Sequence, residues 1–241
     1  MGQIITVTGM ILSAAPVGEY DRRIVILTKE RGKLTAFAKG ARKQTSRFLA
    51  ATNPFSFGQF ELYEGRTSYN LQQVFIQNYF RELADDFTAA CYGFYFMEFA
   101  DYYARENADD AELLKLLYQT FRAVIQGKID YELIRYIFEL KAMTINGEYP
   151  QVFQCVNCME PVKAGAFLTA REGILCEKCC TTHEMLHPST IYTMQYIIST
   201  SIQKLYTFTV SEEVFIEFRH IMKGFVKRHI DKTFHSLEIL G

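Results

Sequence analysis

The sequence contains no run of about 18 apolar residues, the length that a membrane-spanning helix requires. Its first residues, MGQIITVTGMILSAAP, lack the basic segment and continuous apolar core of an export signal. The six cysteines do not suggest a disulfide framework, because four of them fall in two Cys-x-x-Cys pairs. These absences predict a cytoplasmic protein that works in a reducing compartment and does not contact membranes.

Sequence motifs of several enzyme classes are also missing. There is no Walker glycine loop, no Gly-x-Gly-x-x-Gly, no nucleophile elbow and no His-Glu-x-x-His. Acidic residues such as Asp85, Asp86, Asp109 and Asp110 lie where helices are predicted to start, and we interpret them as complements of the helix dipole. The sequence therefore favours a protein that is not an enzyme.

Charge is distributed unevenly along a chain whose formal net charge is only -1. Residues 1–80 contain ten Lys or Arg against five Asp or Glu, whereas residues 81–241 contain sixteen against twenty-two. Hydrophobic residues make up 49% of the 241 residues, enough for a packed core. The sign difference between the two parts indicates two surfaces with different partners.

The hydrophobic pattern predicts an α+β fold with a change near residue 80. Five short strand-like runs separated by glycines precede that point, and they fit a small closed barrel. A five-stranded oligonucleotide-binding (OB) barrel fits the pattern, and a small SH3-like barrel fits it nearly as well. Residues 81–241 are predicted to form a mainly helical domain, with helices that end at Gly127 and Gly147 and further helices at 188–206 and 211–230. Ser189 and Thr190, which follow Pro188, are candidate caps of the helix at 188–206.

The strongest motif is a pair of Cys-x-x-Cys sequences separated by seventeen residues, formed by Cys155, Cys158, Cys176 and Cys179. This spacing is typical of a zinc site in which two tight turns direct four thiolates to one point. We predict one structural Zn²⁺ per chain in an insert at about 150–182, where Gly165 and Gly173 suggest a short hairpin. Cys180, His183 and His187 are weaker candidates for the fourth ligand, and Cys91 is predicted to be a core residue.

Cations are concentrated between residues 39 and 47, a segment that we call the basic loop. It contains Lys39, Arg42, Lys43 and Arg47 and has no acidic residue. Gly40 would let backbone amides approach phosphates, and the hydroxyls of Thr45 and Ser46 can donate hydrogen bonds to phosphate oxygens. The sequence predicts a DNA-binding surface here, extended by cations on the preceding strands, Arg22, Arg23 and Lys33.

Two alternatives to this interpretation remain open. The basic loop has the composition of an ordinary solvated surface as well. Phe37 and Phe48, which bracket the loop, are favoured as core residues, although aromatic rings beside cations can stack on bases.

A second group of cations lies near the C-terminus. Arg219, Lys223 and Lys227 are spaced by four and would share one face of a helix. The opposite face is apolar and would pack on the helical domain. This group is a candidate for binding nucleic acid or an acidic peptide of a partner protein, and an ordinary solvated helix face is the alternative.

The order of these features resembles the RecO family of bacterial recombination mediators. The segment GEYDRRIVILTKERGKLTAFAKGARKQTSRF is similar to the most distinctive stretch of that family. IFELKAMTINGEYPQVFQCVNC resembles its helix that enters the zinc knuckle, and RHIDKTFHSLEIL resembles its C-terminal end. The resemblance covers essentially the whole chain.

The resemblance implies an OB barrel over residues 1–80 and a helical domain with a zinc knuckle over residues 81–241. It implies binding of single- and double-stranded DNA, annealing of complementary strands, and loading of RecA with RecR and often RecF. It also implies contact with the acidic C-terminal tail of single-stranded-DNA-binding protein, and action at the bacterial nucleoid. DNA contact carries over to Lys39, Arg42, Lys43 and Arg47, which match the basic motif of the family.

Two other functions are weighed against a DNA-binding mediator. A zinc-containing adaptor that binds only proteins would use the acidic and aromatic surfaces after residue 80, with the basic loop contacting an acidic partner. A zinc hydrolase or nuclease is disfavoured, because a metal held by four thiolates has no open position to activate water.

Overall fold

The computed structural model describes residues 2–181 and 184–239. The chain forms two compact units. The first consists of Met1–Phe121 and Phe234–Gly241, and the second consists of Arg122–Thr233. The first unit contains a barrel and helices, and the second contains helices and a two-stranded hairpin, so the predicted α+β class is confirmed. The boundary predicted at residue 80 falls where the strands of the barrel give way to helices.

Five strands form the barrel. They are β1 (Gln3–Val17), β2 (Asp21–Thr28), β3 (Gly32–Ala38), β4 (Phe57–Glu64) and β5 (Tyr69–Asn78). The barrel is closed in the order β1-β2-β3-β5-β4, with antiparallel neighbours except for a short parallel contact between β3 and β5. This five-stranded arrangement confirms the predicted OB barrel.

The alternation of apolar residues explains why these segments form a barrel. Along β2 and β3, the buried Ile24, Ile26, Leu34 and Ala36 alternate with side chains that are more exposed. The long strand β1 pairs with two strands, with β4 over its first half and with β2 over its second half. Gly9 lies at this crossover, where a Cβ atom would be only 2.5 Å from the carbonyl oxygen of Leu27.

The helices are α1 (Glu82–Asp85), α2 (Phe87–Tyr103), α3 (Ala111–Gln126), α4 (Tyr131–Ile145), α5 (Pro188–Ser199), α6 (Glu212–His229) and α7 (His235–Glu238). The hairpin consists of β6 (Gly165–Leu168) and β7 (Gly173–Cys176), as the glycines of the insert predict. Gly127 and Gly147 follow the ends of α3 and α4 with φ of +61° and +83°, which confirms both predicted stops.

Two details of α5 differ from the sequence prediction. The helix ends at Ser199 instead of continuing to residue 206, because the Lys141 ammonium binds the carbonyl oxygens of Ile197, Ile198 and Thr200 at 2.7–3.2 Å. Its N-cap is His187, whose Nδ1 accepts a hydrogen bond from the Ser189 backbone at 3.1 Å. Ser189 and Thr190, the predicted caps, lie inside the helix.

Other expectations for single residues are confirmed. Cys91 is buried in α2 with 6% exposure. Asp86 is the N-cap of α2 and accepts a hydrogen bond from the Ala89 backbone at 2.6 Å. Within the described ranges, no helix combines the length and the hydropathy needed to cross a membrane.

Candidate nucleic-acid interface and metal centre

Two tight turns present the four predicted cysteine ligands. In the first, the backbone N–H of Cys155 donates to the Glu160 carbonyl at 2.8 Å, and Met159 adopts a left-handed conformation with φ of 63°. In the second, the N–H groups of Cys179 and Cys180 both donate to the Cys176 carbonyl at 2.9 Å. Each Cys-x-x-Cys segment therefore folds back on itself, as the spacing predicts.

The four sulfur atoms meet at one point. All lie within 4.8 Å of one another, and the Sγ atoms of Cys158 and Cys176 are 3.7 Å apart. A tetrahedral ion with Zn–S bonds of about 2.3 Å has sulfur–sulfur edges of roughly 3.8 Å. The cluster therefore fits a tetrahedral metal ion, and the four thiolates would complete its coordination.

Backbone and amide donors surround these sulfurs. The N–H groups of Cys176 and Asn157 donate to Cys155 Sγ at 3.3 and 3.5 Å, and the Asn157 side-chain amide donates to Cys179 Sγ at 3.4 Å. Burial alone would raise the pKa of the Cys155 thiol, but the backbone donors lower that pKa to about 6. The Glu160 backbone lowers the pKa of the Cys158 thiol, but desolvation and the hydrogen bonds of that thiol with the three other cysteines outweigh this effect and raise the pKa to about 12.

Among the described residues, the candidate ligands Cys180 and His187 do not join the cluster. Its members are the four predicted cysteines, and Cys180 is not among them. The His187 ring instead caps α5, because its Nδ1 accepts a hydrogen bond from the Ser189 backbone. His183 lies outside the described residues.

The tip of the β6–β7 hairpin, which carries Cys176, is bonded to α6. Glu172 has φ of 50° between β6 and β7, and its carboxylate accepts a hydrogen bond from Arg228 Nε at 2.8 Å. The other carboxylate oxygen lies 3.0 Å from His229 Nε2. This arrangement fixes one side of the metal site through an ion pair that spans 56 positions of sequence.

The basic loop begins with a turn that Gly40 makes possible. Gly40 has φ of +65°, and its N–H donates to Asp21 Oδ1 at 2.7 Å. That amide is therefore occupied, which differs from the expectation that it would approach phosphate. The N–H of Arg42 donates to the Tyr20 carbonyl at 2.8 Å, so the basic loop is held against the turn between β1 and β2.

The cations of the basic loop keep their charge uncompensated. Arg42 donates to the carbonyl oxygens of Gly18 and Glu19 at 3.4 and 3.2 Å, and Arg47 donates to the Gln72 carbonyl at 2.7 Å. Lys39 and Lys43 are exposed, and Lys43 Nζ lies 5.3 Å from the Tyr20 ring centroid. Among the described residues, no carboxylate lies within ion-pair distance of these four side chains. Carbonyl oxygens orient the guanidinium groups without neutralising them.

Of the three strand cations predicted to extend the DNA-binding surface, Arg22 and Lys33 have partners within the protein, and Arg23 is exposed. Arg22 points to the segment after the loop, where its Nη1 donates to Leu49, Thr52 and Asn53 at 2.8–3.0 Å. Burial, and next the charge of Arg42, lower the pKa of Arg22. Lys33 forms an ion pair with Asp101 at 3.1 Å. Arg23 remains exposed and lies opposite Phe37 on the outer face of the barrel.

The two phenylalanines also differ. Phe48 is only 8% exposed and belongs to the barrel core, with the Arg47 guanidinium 4.9 Å from its ring centroid. Phe37 points away from the core, since it alternates along β3 with the buried Ala36 and Ala38. Ser46 Oγ accepts a hydrogen bond from the Phe48 backbone at 3.2 Å, which stabilises the loop.

A cleft beside β3 contains Arg66, a cation that the sequence analysis missed. The cleft has a volume of about 630 Å³, and its lining includes the cations Arg31, Lys33 and Arg66 and the acids Glu64 and Glu106. Arg31 lies 4.0 Å from the Glu64 carboxylate. Arg66 is exposed in the loop between β4 and β5, a loop that binds nucleic acid in many OB folds. The sequence signal was present, because Gly65-Arg66-Thr67-Ser68 has the same residue types as the basic loop.

The structure separates the three cations predicted on the C-terminal helix. Arg219 pairs with Glu132 at 3.6 Å and lies over the Phe215 ring. Lys223 and Lys227 instead line a cleft of about 640 Å³ together with apolar and polar side chains, among them Phe167, Met185, Leu186, Ile216 and His220. This cleft, which we call the α6 cleft, combines two exposed ammonium groups with apolar side chains, and Glu184 and Glu217 also line it. The Glu217 carboxylate accepts hydrogen bonds from the His187 backbone and the Thr190 hydroxyl.

Comparisons with known proteins agree over both units. A family model described as Recombination protein O N terminal matches residues 1–80, and one described as Recombination protein O C terminal matches residues 84–238. A protein of Alkaliphilus metalliredigens called DNA repair protein RecO is 29% identical over 241 residues, covering 98% of each chain. Proteins of the same name from Clostridium acetobutylicum and Clostridium novyi are 26% and 29% identical, covering 97% and 96% of this chain and 95% and 91% of their own.

Proposed function

The chain belongs to the RecO family of DNA repair proteins, and from this premise we propose that it is a non-enzymatic DNA-binding recombination mediator. In this role it binds single- and double-stranded DNA and anneals complementary strands. With RecR and RecF it helps to load RecA onto single strands coated by single-stranded-DNA-binding protein. Its site of action is the bacterial nucleoid.

One observation carries this proposal. The basic loop presents four cations, and carbonyl oxygens rather than carboxylates hold its arginines. A cluster of uncompensated charge raises the local potential and attracts a polyanion. Exposed Arg23, and Arg66 in the loop between β4 and β5, extend the positive surface over the barrel. Arg22 and Lys33 have intramolecular partners, and we assign them a structural role.

Annealing needs no bond to be made or broken. Two complementary strands repel each other through their phosphates, and cations that neutralise some of these charges lower the repulsion. The basic loop would hold one strand while the remaining barrel cations attract the second. Base pairing then supplies the free energy for the product duplex.

The test replaces the two lysines of the basic loop, whose side chains make no hydrogen bond within the described ranges. Lys39→Gln combined with Lys43→Gln leaves the Arg42 and Arg47 contacts in place. Because each phosphate contact on a single strand contributes about 0.7 to the salt slope, the double variant is expected to flatten that slope by roughly 1.4. Fluorescence anisotropy of a labelled oligonucleotide at several salt concentrations measures this change.

A matched control removes the same charge elsewhere. Lys128→Gln combined with Lys204→Gln changes two exposed lysines of the other unit and is expected to leave the slope unchanged. Equal effects of both pairs would mean that net charge alone is responsible. If the unmodified protein binds no oligonucleotide at low salt and does not accelerate annealing, the DNA-binding proposal is wrong and the protein-binding adaptor replaces it.

We assign the acidic tail of single-stranded-DNA-binding protein to the α6 cleft. Lys223 and Lys227 can pair with its carboxylates, while Phe167, Met185 and Ile216 accept apolar side chains. Arg219 is excluded, because its pairing with Glu132 and its position over Phe215 direct it elsewhere. A synthetic acidic tail peptide should bind the protein more weakly after Lys223→Gln and Lys227→Gln, and unchanged binding would refute the assignment.

The metal is assigned as one structural zinc ion. Four thiolates at tetrahedral spacing match zinc, and they leave no open position for a substrate. Cys155, Cys158, Cys176 and Cys179 would hold the ion, and Asn157 would orient the Cys179 thiolate through its amide. Zinc in this position stabilises the insert and takes no part in DNA binding.

A further inference from the structure

Tyr20 lies at the end of the turn between β1 and β2, a type of loop that contacts nucleic acid in OB folds. We propose that its ring stacks on an unpaired base of single-stranded DNA while Lys39 and Lys43 contact adjacent phosphates. The inference rests on the proposed DNA-binding function and adds a source of preference for single strands over duplex DNA.

The position of the ring among the cations supports this role. Tyr20 is 44% exposed, whereas Phe48, which follows the basic loop, is 8% exposed. The Lys43 ammonium lies 5.3 Å from the Tyr20 ring centroid. A base that stacks on the opposite side of the ring would place its phosphate within the field of the same cations.

Hydrogen bonds hold the turn in this position. The Arg42 backbone donates to the Tyr20 carbonyl at 2.8 Å, and the Arg42 guanidinium donates to the carbonyls of Gly18 and Glu19. Gly18 has φ of +55°, which permits the tight turn. The ring is therefore presented on a turn that is ordered before DNA arrives, which lowers the entropic cost of binding.

Two acidic residues, Glu19 and Asp21, flank the ring in sequence. The Asp21 carboxylate accepts the Gly40 N–H at 2.7 Å. The neighbouring Glu19 side chain, and to a lesser degree desolvation, raise the pKa of Tyr20. The phenol therefore stays neutral at physiological pH and adds no repulsion toward phosphate.

Stacking would distinguish single strands from duplex DNA. The faces of paired bases are covered by their neighbours, whereas an unpaired base offers a free face to an aromatic ring. Removing one stacking ring is expected to weaken single-strand binding roughly ten-fold. Binding to a blunt duplex should remain within about two-fold, since duplex contacts are made through phosphates.

The first experiment uses the absence of tryptophan from the sequence. Tyr20→Trp introduces a single indole, and an oligo(dT) strand should quench its emission while a blunt duplex of equal length should not. Phe75→Trp is the matched control, because Phe75 is an exposed aromatic residue of the same barrel and is not part of the turn. Quenching in the control and not at position 20 would overturn the inference.

The second experiment measures affinity by anisotropy. Tyr20→Phe should bind like the unmodified protein, and Tyr20→Leu should lose about ten-fold for single strands with an unchanged salt slope. Thermal melting checks that both exposed substitutions leave the fold intact. If the unmodified protein binds DNA and Tyr20→Leu binds single strands equally well, only the stacking inference fails. If the unmodified protein binds no DNA, the proposed function itself fails.

Discussion

Arg22, Lys33 and Arg42 are all cations of the barrel, yet their neighbours give them different roles. Arg22 donates to three oxygens of the segment after the basic loop, and Lys33 pairs with a carboxylate. Arg42 binds only carbonyl oxygens, so its positive charge is not neutralised. A carboxylate partner neutralises Lys33, partial burial and three acceptors hold Arg22 in the fold, and the exposed Arg42 remains available to a ligand.

At the scale of a single residue, we predict how the Glu172 carboxylate affects stability at different pH. Burial would raise the pKa of its carboxyl, but hydrogen bonds from Arg228 and His229 outweigh burial and lower that pKa. A group with a lowered folded pKa stabilises the protein above its unfolded pKa, near 4.3, and loses this contribution as pH falls through the folded pKa. Glu172→Gln should therefore reduce the free energy of unfolding by about 1 kcal/mol at neutral pH, and less in acid.

Urea unfolding at about pH 7 and about pH 3 measures this difference. Glu184→Gln is a suitable control, because Glu184 is exposed and has no ion-pair partner among the described residues. Equal destabilisation by Glu172→Gln at both pH values would contradict the role of the carboxylate charge.

The β6–β7 hairpin illustrates the scale of a secondary-structure element. It has only two short strands, and its pairing joins Gly165 to Cys176, which is one of the proposed metal ligands. Glu172 at its tip binds α6, and Cys176 at its end enters the sulfur cluster. A hairpin of this size is marginal alone, so these two attachments hold its register.

Gly165→Ala is expected to disrupt this element. A Cβ atom would lie 2.1 Å from the Leu175 carbonyl oxygen, and the strands would have to separate. We expect a loss of 1–3 kcal/mol in stability, of the order caused by overpacking, and faster metal release to a chelator. Gly224→Ala in α6 is the control, because its Cβ would make only a van der Waals contact of 3.4 Å with the flexible Arg228 side chain, and alanine favours a helix by about 1 kcal/mol. A Gly165 variant that melts like the unmodified protein would refute this account.

At the scale of the whole molecule, the proposed DNA-binding surface and the proposed zinc site belong to different compact units. The basic loop lies in the unit that contains the barrel, and the four cysteines lie in the unit formed by Arg122–Thr233. Each unit has its own buried core. This division predicts that loss of metal affects one unit far more than the other.

Removal of zinc tests that division. Protein purified without chelator should contain one zinc per chain. Chelation should then abolish amide-exchange protection at about 150–182, because metal binding supplies about 10–16 kcal/mol of apparent free energy to such segments. Protection of the barrel and binding of oligonucleotides should change little. Simultaneous loss of protection in the barrel, or purified protein without zinc, would contradict this prediction.

The sequence by itself determined the features that depend on neighbouring residues. Alternation along Asp21–Ala38 predicts a hairpin, Cys-x-x-Cys spacing predicts two metal-binding turns, and Gly127 and Gly147 predict helix ends. Such features follow from local backbone geometry, which a short segment carries within itself. For this reason the barrel, the cysteine cluster and most helices were predicted correctly.

Only the tertiary structure decided which cations remain uncompensated and which aromatic rings stay exposed. Lys33 meets Asp101, and Arg219 meets Glu132, across 68 and 87 positions of sequence. Tyr20 joins the basic loop only because the turn before β2 folds against it. Partners that are distant in sequence are brought together by packing, and no local pattern records them.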